Sequence, residues 1–476
     1  MRPMSGMDAA FLYMETPTTP MHVVGVLVLE PTAASGPFGL AAVTQALRER
    51  LHLIPPLRRR IVTPPGAIDH PLWIEDPDFD LANHIRVAPL PAPVGWSELE
   101  EYVGEVAGRL LDRRRPLWEM WIIEGLEGGR VGLVTKLHHS MMDGGAGGDL
   151  MASLFDLEPG AGPPVPPESP WAPDTLPWAP SHALHSVGSL VRRQREVPGA
   201  FYHAMGSLVG SARTWAMLRA AGSATQLTAP RTMVNGPLTA RRTVSLTTVD
   251  LDQVREIRRA FHTTINDVVL AATATALRGY LSARGALPTS PLVAAAPVNV
   301  RLDSADSGEF GNKVSNMMVG LPMEPSDPVQ RLHAVHEAAQ SSKAMQSAFG
   351  PETLQQLTGF ASPMVMTALA RVYSSLRIAR LHRPVLNLIV SNVPGPPIDL
   401  YCAGARVTGI FPMGPLFEGS GLNLTVLSEA HHLNVGIMAC PDLAPDVGDI
   451  GQRFVGAVAE LHRLALEEKS SARLDP

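Results

Sequence analysis

Only two cysteines, Cys402 and Cys440, occur in 476 residues. They are too few and too far apart for a disulfide framework or a cysteine zinc site, and they suit a reducing, cytoplasmic setting. Charge is also scarce. Asp, Glu, Lys and Arg make up 18% of the chain and hydrophobic residues 45%, where soluble domains usually carry roughly 25% charge. That balance fits apolar internal surfaces such as a lipid channel. Lysine is nearly missing, four against 35 arginines, which reads as a habit of genome composition. A formal net charge of −6 argues against nucleic acid as the main partner, since phosphates require a basic face. No apolar run is long enough to span a bilayer. The opening MRPMSGMDAAFLYMETP lacks the charged start, apolar middle and small-residue cleavage site of a signal peptide. Any meeting with lipid is expected from the water side.

Several catalytic signatures are missing too. No G-x-S-x-G elbow occurs, which counts against a serine-hydrolase acyltransferase. In GGAGGDL, Leu150 stands where a dinucleotide fingerprint needs its third glycine after Gly145 and Gly147. His333 and His336 in RLHAVHEA lack the order of a zinc-protease helix. His431 and His432 have Gly436 where an aspartate would follow, and read as surface decoration. No metal is expected.

What is present is an alternation of strands and helices too long for one ordinary core. MHVVGVLVLEP reads as a strand, and FGLAAVTQALRERLHLIPPLRRRIV as a helix running into an extended piece. PLWEMWIIEGLEGGRVGLVTKLHH reads as a hairpin turning at LEGGR. A proline-rich stretch from Glu158 cannot be regular structure. Amphipathic pieces over 183–222 follow it, either a connector or a basic interfacial helix, the connector being the ordinary reading. Asp250 with Gln253, and Thr264 with Asp267, are capping-box patterns opening two helices. LNLTVLSEAHHLNVGIMA reads as a second hairpin. The division expected is 1–157, a linker region 158–236, and 237–476, the outer two forming a pseudo-repeat without internal sequence identity.

The chemistry concentrates in VTKLHHSMMDGGAGGDL. Neighbouring strand residues face opposite sides, so His138 and His139 cannot both enter one cavity; one is structural and the other available for chemistry. Gly144, Gly145, Gly147 and Gly148 permit close approach of a bulky ligand, and Asp143 could orient the loop or pair with a buried arginine.

HHSMMDG resembles the HHxxxDG motif of the bacterial wax ester synthase/acyl-CoA:diacylglycerol acyltransferase family, of the actinobacterial triacylglycerol synthase type. SGMDAAFLYMETPTTPMHV resembles that family's N-terminal start. Pro116, Leu117 and Trp118 match its Pro-Leu-Trp motif, and Asn266 with Asp267 its Asn-Asp motif. APVNVRLD, GNKVSNMMVGLP, SNVPGP and GPLFEGSGLNLTV follow in order. The resemblance implies an α/β fold of two chloramphenicol-acetyltransferase-like (condensation-domain-like) halves with an active-site tunnel at their junction.

Residue by residue, it implies that His139 is the general base and His138 structural. Asp143 and Gly144 would shape the loop, with Arg60, and Arg58 second, as the salt-bridge partner of Asp143 by analogy with condensation domains. Asn266, Asp267, Ser391 and Asn392 would lie along the substrate channel, although Asp267 is explained equally by its capping box and Ser391–Asn392 by the Pro394-Gly395-Pro396 turn. Trp118 reads as core. The implied reaction takes an acyl group from acyl-CoA, a co-substrate with no further cofactor, to diacylglycerol or a long-chain alcohol. The setting would be the cytoplasm, the inner membrane face or lipid droplets. Two other classes stay open: a carrier-protein-dependent condensation-fold acyltransferase, and a non-catalytic lipid-binding protein.

Overall fold

A computed structural model describes residues 2–31, 38–64, 69–141, 150–167, 169–175, 229–299, 314–349 and 363–471. The 183–222 pieces lie outside them.

In chain order the first half contains β1 (Arg2–Pro3), α1 (Gly6–Met14), β2 (His22–Glu30), α2 (Leu40–Arg50), β3 (Arg59–Val62), β4 (Leu72–Glu75), β5 (Ile85–Val87), α3 (Trp96–Gly108), β6 (Trp118–Leu126) and β7 (Arg130–His138). The second contains β8 (Thr243–Asp250), α4 (Leu251–Ala260), α5 (Ile265–Ser282), β9 (Leu292–Asn299), β10 (Val314–Leu321), α6 (Pro328–Phe349), α7 (Pro363–Ser375), β11 (Leu388–Pro394), β12 (Tyr401–Cys402), β13 (Ala405–Met413), β14 (Leu422–Glu429), β15 (His432–Ala439) and α8 (Val447–Ser471).

Two six-stranded sheets result. The order in one is β12-β13-β2-β7-β6-β5, and in the other β10-β9-β11-β14-β15-β8; β1, β4 and β3 form a small third sheet. Both expected hairpins are present, β6 to β7 and β14 to β15, each antiparallel. The first turns through Gly128 and Gly129 at φ 78° and 73°, a region that favours glycine. Period-two alternation sorts the first sheet's side chains onto two buried faces. Val24, Val26, Val28, Trp121, Ile123 and Val134 join one cluster, which extends to Val244 and Met438 of the second sheet. Leu27, Leu29, Met120, Ile122, Val131 and Leu133 join the other. The second sheet buries its far face under α4, α5, α6 and α8.

Helix starts follow local chemistry. Thr264 and Asp267 make a reciprocal capping box, whereas Asp250 caps α4 through the N–H of Asp252 and not by a reciprocal pair with Gln253.

Sheet membership crosses between the halves after β11. There the chain leaves the second sheet, lays β13 beside β2 of the first with β12 at the edge outside it, and returns as β14. The halves are also joined where α3 meets β8: the Leu246 N–H donates to Glu100 Oε1 at 2.7 Å. A Cβ on Gly104 would stand 2.6 Å from the Arg242 carbonyl oxygen, so only glycine allows this approach.

Candidate active site

His138 ends β7 and His139 opens a short 3-10 turn to Met141, the strand end being held from both sides. His138 donates its N–H to the Leu117 carbonyl at 2.9 Å, and His139 donates its N–H to the Met21 carbonyl at 2.8 Å. The Pro-Leu-Trp segment therefore fixes one flank of the strand end and the start of β2 the other. Trp118 is core, as expected: it is buried, donates Nε1–H to the Leu57 carbonyl at 2.7 Å, and stacks on His84.

The two rings diverge. His138 lies on the face of Val134 and Lys136, opposite His22 in the β2 register. Ser140 donates its backbone N–H to His138 Nδ1 at 3.1 Å, and its hydroxyl is 2.7 Å from the same atom. With Nδ1 accepting, Nε2 carries the ring proton, and it stands 3.2 Å from Glu15 Oε2. The same carboxylate oxygen is 3.3 Å from His22 Nε2, while Arg113 Nη2 donates to Glu15 Oε1 at 2.7 Å. His139, one residue on, turns the other way. Its ring stacks on Phe11 of α1, with centroids 4.1 Å apart and planes 14° apart.

Glu15, His22 and Arg113 were not singled out in the sequence. Glu15 is the C-cap of α1, where the backbone turns extended and aims the carboxylate at the end of the sheet. Burial alone would raise its carboxyl, but the His138 and His22 contacts outweigh that and hold it below the usual carboxylate range. Burial pushes His22 down to about 4, against the opposing pull of Glu15. Lys136 is buried on the same face, 3.3 Å from Glu119, and donates to the Val106 and Arg109 carbonyls that end α3. Burial lowers its ammonium, and Glu119 offsets part of that.

The other expected residues are dispersed. Asp143 and Gly144 lie outside the described residues. Arg60 binds Asp76 at 2.9 Å and donates to the Arg114 carbonyl; Arg58 approaches Glu75 at 3.8 Å and lies over Trp171. Asp267 is buried, closes its capping box, and is 2.7 Å from His336 Nδ1, which gives that histidine a bracing place. Asn266 beside it is half-buried. Ser391 and Asn392 are half-buried on β11, opposite Thr425 and Val426 of β14. The next residue, Val393, packs against the cluster containing Met141, so β11 ends at the junction of the halves. A cleft of about 690 Å³ opens among Arg231, Asn235, Thr239, Tyr373, Glu418 and Asp442; His139 is not among its lining residues. Among the described residues no group of three or more His, Cys, Asp or Glu could hold a metal. No helix of the described residues is long and apolar enough to cross a membrane.

Two linked six-stranded sheets, one of them ending a strand on His138, make up this fold. The first condensation domain of the calcium-dependent antibiotic synthetase shares this fold, with TM-score 0.58 and 17% identity over 97% of this chain and 96% of its own. The family model for the wax ester synthase/diacylglycerol acyltransferase catalytic domain matches residues 4–269, and that for the WS/DGAT C-terminal domain matches residues 310–462. A Mycobacterium tuberculosis (strain CDC 1551 / Oshkosh) protein named for diacylglycerol O-acyltransferase activity is 37% identical over 97% of this chain and 90% of its own. A second from that strain is 35% identical over 98% and 97%. The wax ester synthase/diacylglycerol acyltransferase from Marinobacter aquaeolei VT8 superposes with TM-score 0.69 and 26% identity, over 98% of this chain and 100% of its own. The chain belongs to the wax ester synthase/diacylglycerol acyltransferase family and is an acyltransferase of two condensation-like α/β halves.

Proposed function

We propose that the protein transfers a long-chain acyl group from acyl-CoA to the hydroxyl of diacylglycerol, making triacylglycerol, and that long-chain alcohols are alternative acceptors giving wax esters. One observation carries the assignment of roles. His138 is engaged at both ring nitrogens within a buried carboxylate network, while His139 faces the other way against Phe11. In this reading His139 is the general base and His138 holds the strand end.

An imidazole with a reference pKa of about 6.5 is largely neutral at physiological pH. The His139 ring takes the acceptor's hydroxyl proton as oxygen adds to the thioester carbonyl. The tetrahedral oxyanion, with a backbone N–H or Asn392 as donor, collapses and expels the CoA thiolate, which takes up the proton. The products are ester and free CoA. A thiol of pKa about 8.5 leaves far more readily than an alkoxide, so no covalent acyl-enzyme is required, in keeping with the missing serine elbow. Asp143 shapes the loop after the histidines with Arg60, and Asn266, Asp267, Ser391 and Asn392 border the substrate channel. The lipid acceptor is met at the water side of a membrane or droplet.

The test is CoA thiol release from palmitoyl-CoA, with diolein, hexadecanol or no acceptor, by wild type and His139→Ala. Product is identified by mass. Release that depends on acceptor and on His139, with a triacylglycerol product, is expected. Equal release from both proteins, or none from either when both are folded, overturns the assignment.

A further inference from the structure

Between Glu352 and Asp399 the chain carries no acidic residue, and its charged side chains are four arginines: Arg371, Arg377, Arg380 and Arg383. All four are exposed. Among them stand aliphatic side chains open to water: Met364 at 56%, Leu369 at 59%, Val372 at 48%, Leu376 at 67%, Leu381 at 79% and Val385 at 73% of full exposure. Single apolar residues scattered on a surface need no explanation, but such a concentration marks an interaction surface.

Helical spacing shows how it forms. Leu369, Val372 and Leu376 are three and four residues apart and share one side of α7 and its end. On the inward side Met366 packs into the first half's core, and the Ser374 hydroxyl is 2.7 Å from that of Thr18. The segment beyond is braced: Arg231 Nη2 donates to the Arg380 and His382 carbonyls at 2.7 and 2.8 Å. The outward face is therefore preformed.

We propose that this face, from α7 to Val385, docks the protein on an anionic lipid surface. Charge complementarity selects that occupant. A chain of net charge −6 would be repelled by anionic headgroups, except where a stretch is purely basic. Arginines lay their alkyl stems along apolar surface and keep the guanidinium at headgroup level, and anionic lipid attracts them. The aliphatic side chains supply the apolar burial of an interfacial segment. Docking here has a consequence for the reaction. Helix α7 packs on α1, and α1 carries the Phe11 that stacks on His139, so the histidine is held one helix from the lipid. The inference rests on the lipid acceptor proposed above and names the surface from which it is met.

The experiment is co-sedimentation of the purified full chain with vesicles of phosphatidylcholine alone or with added phosphatidylglycerol. Wild type is compared with Leu376→Ser/Leu381→Ser and with Arg371→Gln/Arg383→Gln. All four positions are exposed, and folding is checked by thermal melting and by CoA release with a short-chain diacylglycerol dispersed in detergent. Expected are binding of wild type to phosphatidylglycerol vesicles that weakens with salt, and about thirty-fold weaker binding of the arginine variant. The leucine variant should lose binding comparably, with detergent-phase activity kept in both. No vesicle binding by wild type, or equal binding by all three proteins, overturns the proposal. So does a wild type that elutes as a dimer, gives monomeric variants and ignores vesicles. Vesicle binding that the variants lose, without CoA release by wild type, supports the docking face and overturns the reaction assignment instead.

Discussion

Glu15 Oε2 stands 3.2 Å from His138 Nε2 and 3.3 Å from His22 Nε2, so one buried carboxylate ties the end of α1 to the starting end of β2 and the finishing end of β7. The backbone of His139 follows directly from that knot. Replacing Glu15 with Gln removes the charge that balances Arg113 and weakens the hold on His138. Turnover is expected to fall about ten- to a hundred-fold, the scale of a misplaced catalytic group. With His139 as the proposed base, KM for acyl-CoA should change little, because the Glu15 network contacts His138 and not the His139 ring. Steady-state CoA release beside a thermal melt checks this, and a variant with normal turnover would detach Glu15 from the histidine pair.

His22 gives the fold an acid limb. Burial pushes its ring down to about 4 in the folded protein, while an unfolded chain titrates it near about 6.5. Between those values the unfolded state takes up a proton that the folded state refuses, so stability is full above the upper value and falls as pH drops toward the lower. His22→Gln keeps a donor for Glu15 without a titrating ring. Its melting temperature should decline less steeply than wild type across that window; identical slopes would refute the assignment.

Glu429 works in the opposite sense. Burial raises its carboxyl to about 7, eased by bonds from the Ile410 backbone and Asn434. The folded state holds a proton there that the unfolded chain releases near 4.5, so the contribution is full below 4.5 and lost as pH rises through about 7. Glu429→Gln should therefore raise the melting temperature above neutrality and leave it nearly unchanged in acid. A uniform shift at every pH would count against this origin.

Gly104 tests the joint between the halves. A Cβ there meets the Arg242 carbonyl oxygen at 2.6 Å, a backbone atom that cannot swing aside. Gly104→Ala gains helix propensity of about 1 kcal/mol but forces α3 off β8, a strain in the range of about 1–3 kcal/mol. A net loss of up to about 2 kcal/mol by denaturant unfolding is expected, and a stabilised variant would show that the contact yields freely.

What could be read locally was read from residues close in sequence. The β6–β7 hairpin, the cap at Asp250 and the Thr264–Asp267 box are complete within a few residues of chain, and the structure contains each. Strand alternation predicts that His138 and His139 part, and the rings do diverge, although His139 does so as the first residue of a 3-10 turn beyond β7. The exchange of β12 and β13 into the first sheet was not legible, because β13 pairs with β2, whose sequence lies far away and offers no local signal. Glu15 was visible only as one acid near the chain start. The available hint was His22, in step with Val24, Val26 and Val28 on a face that the alternation predicts to be buried; a histidine there needs a partner.

By itself, then, the sequence determined the elements, the family and the placement of a histidine pair at a strand end, because capping, alternation and turn chemistry act over a few residues. Only the tertiary structure decided which ring is held by a carboxylate and which is turned toward Phe11. It also decided which apolar side chains of α7 stay in water. Burial and pairing partners are properties of chain brought together across hundreds of residues, and no local pattern carries them.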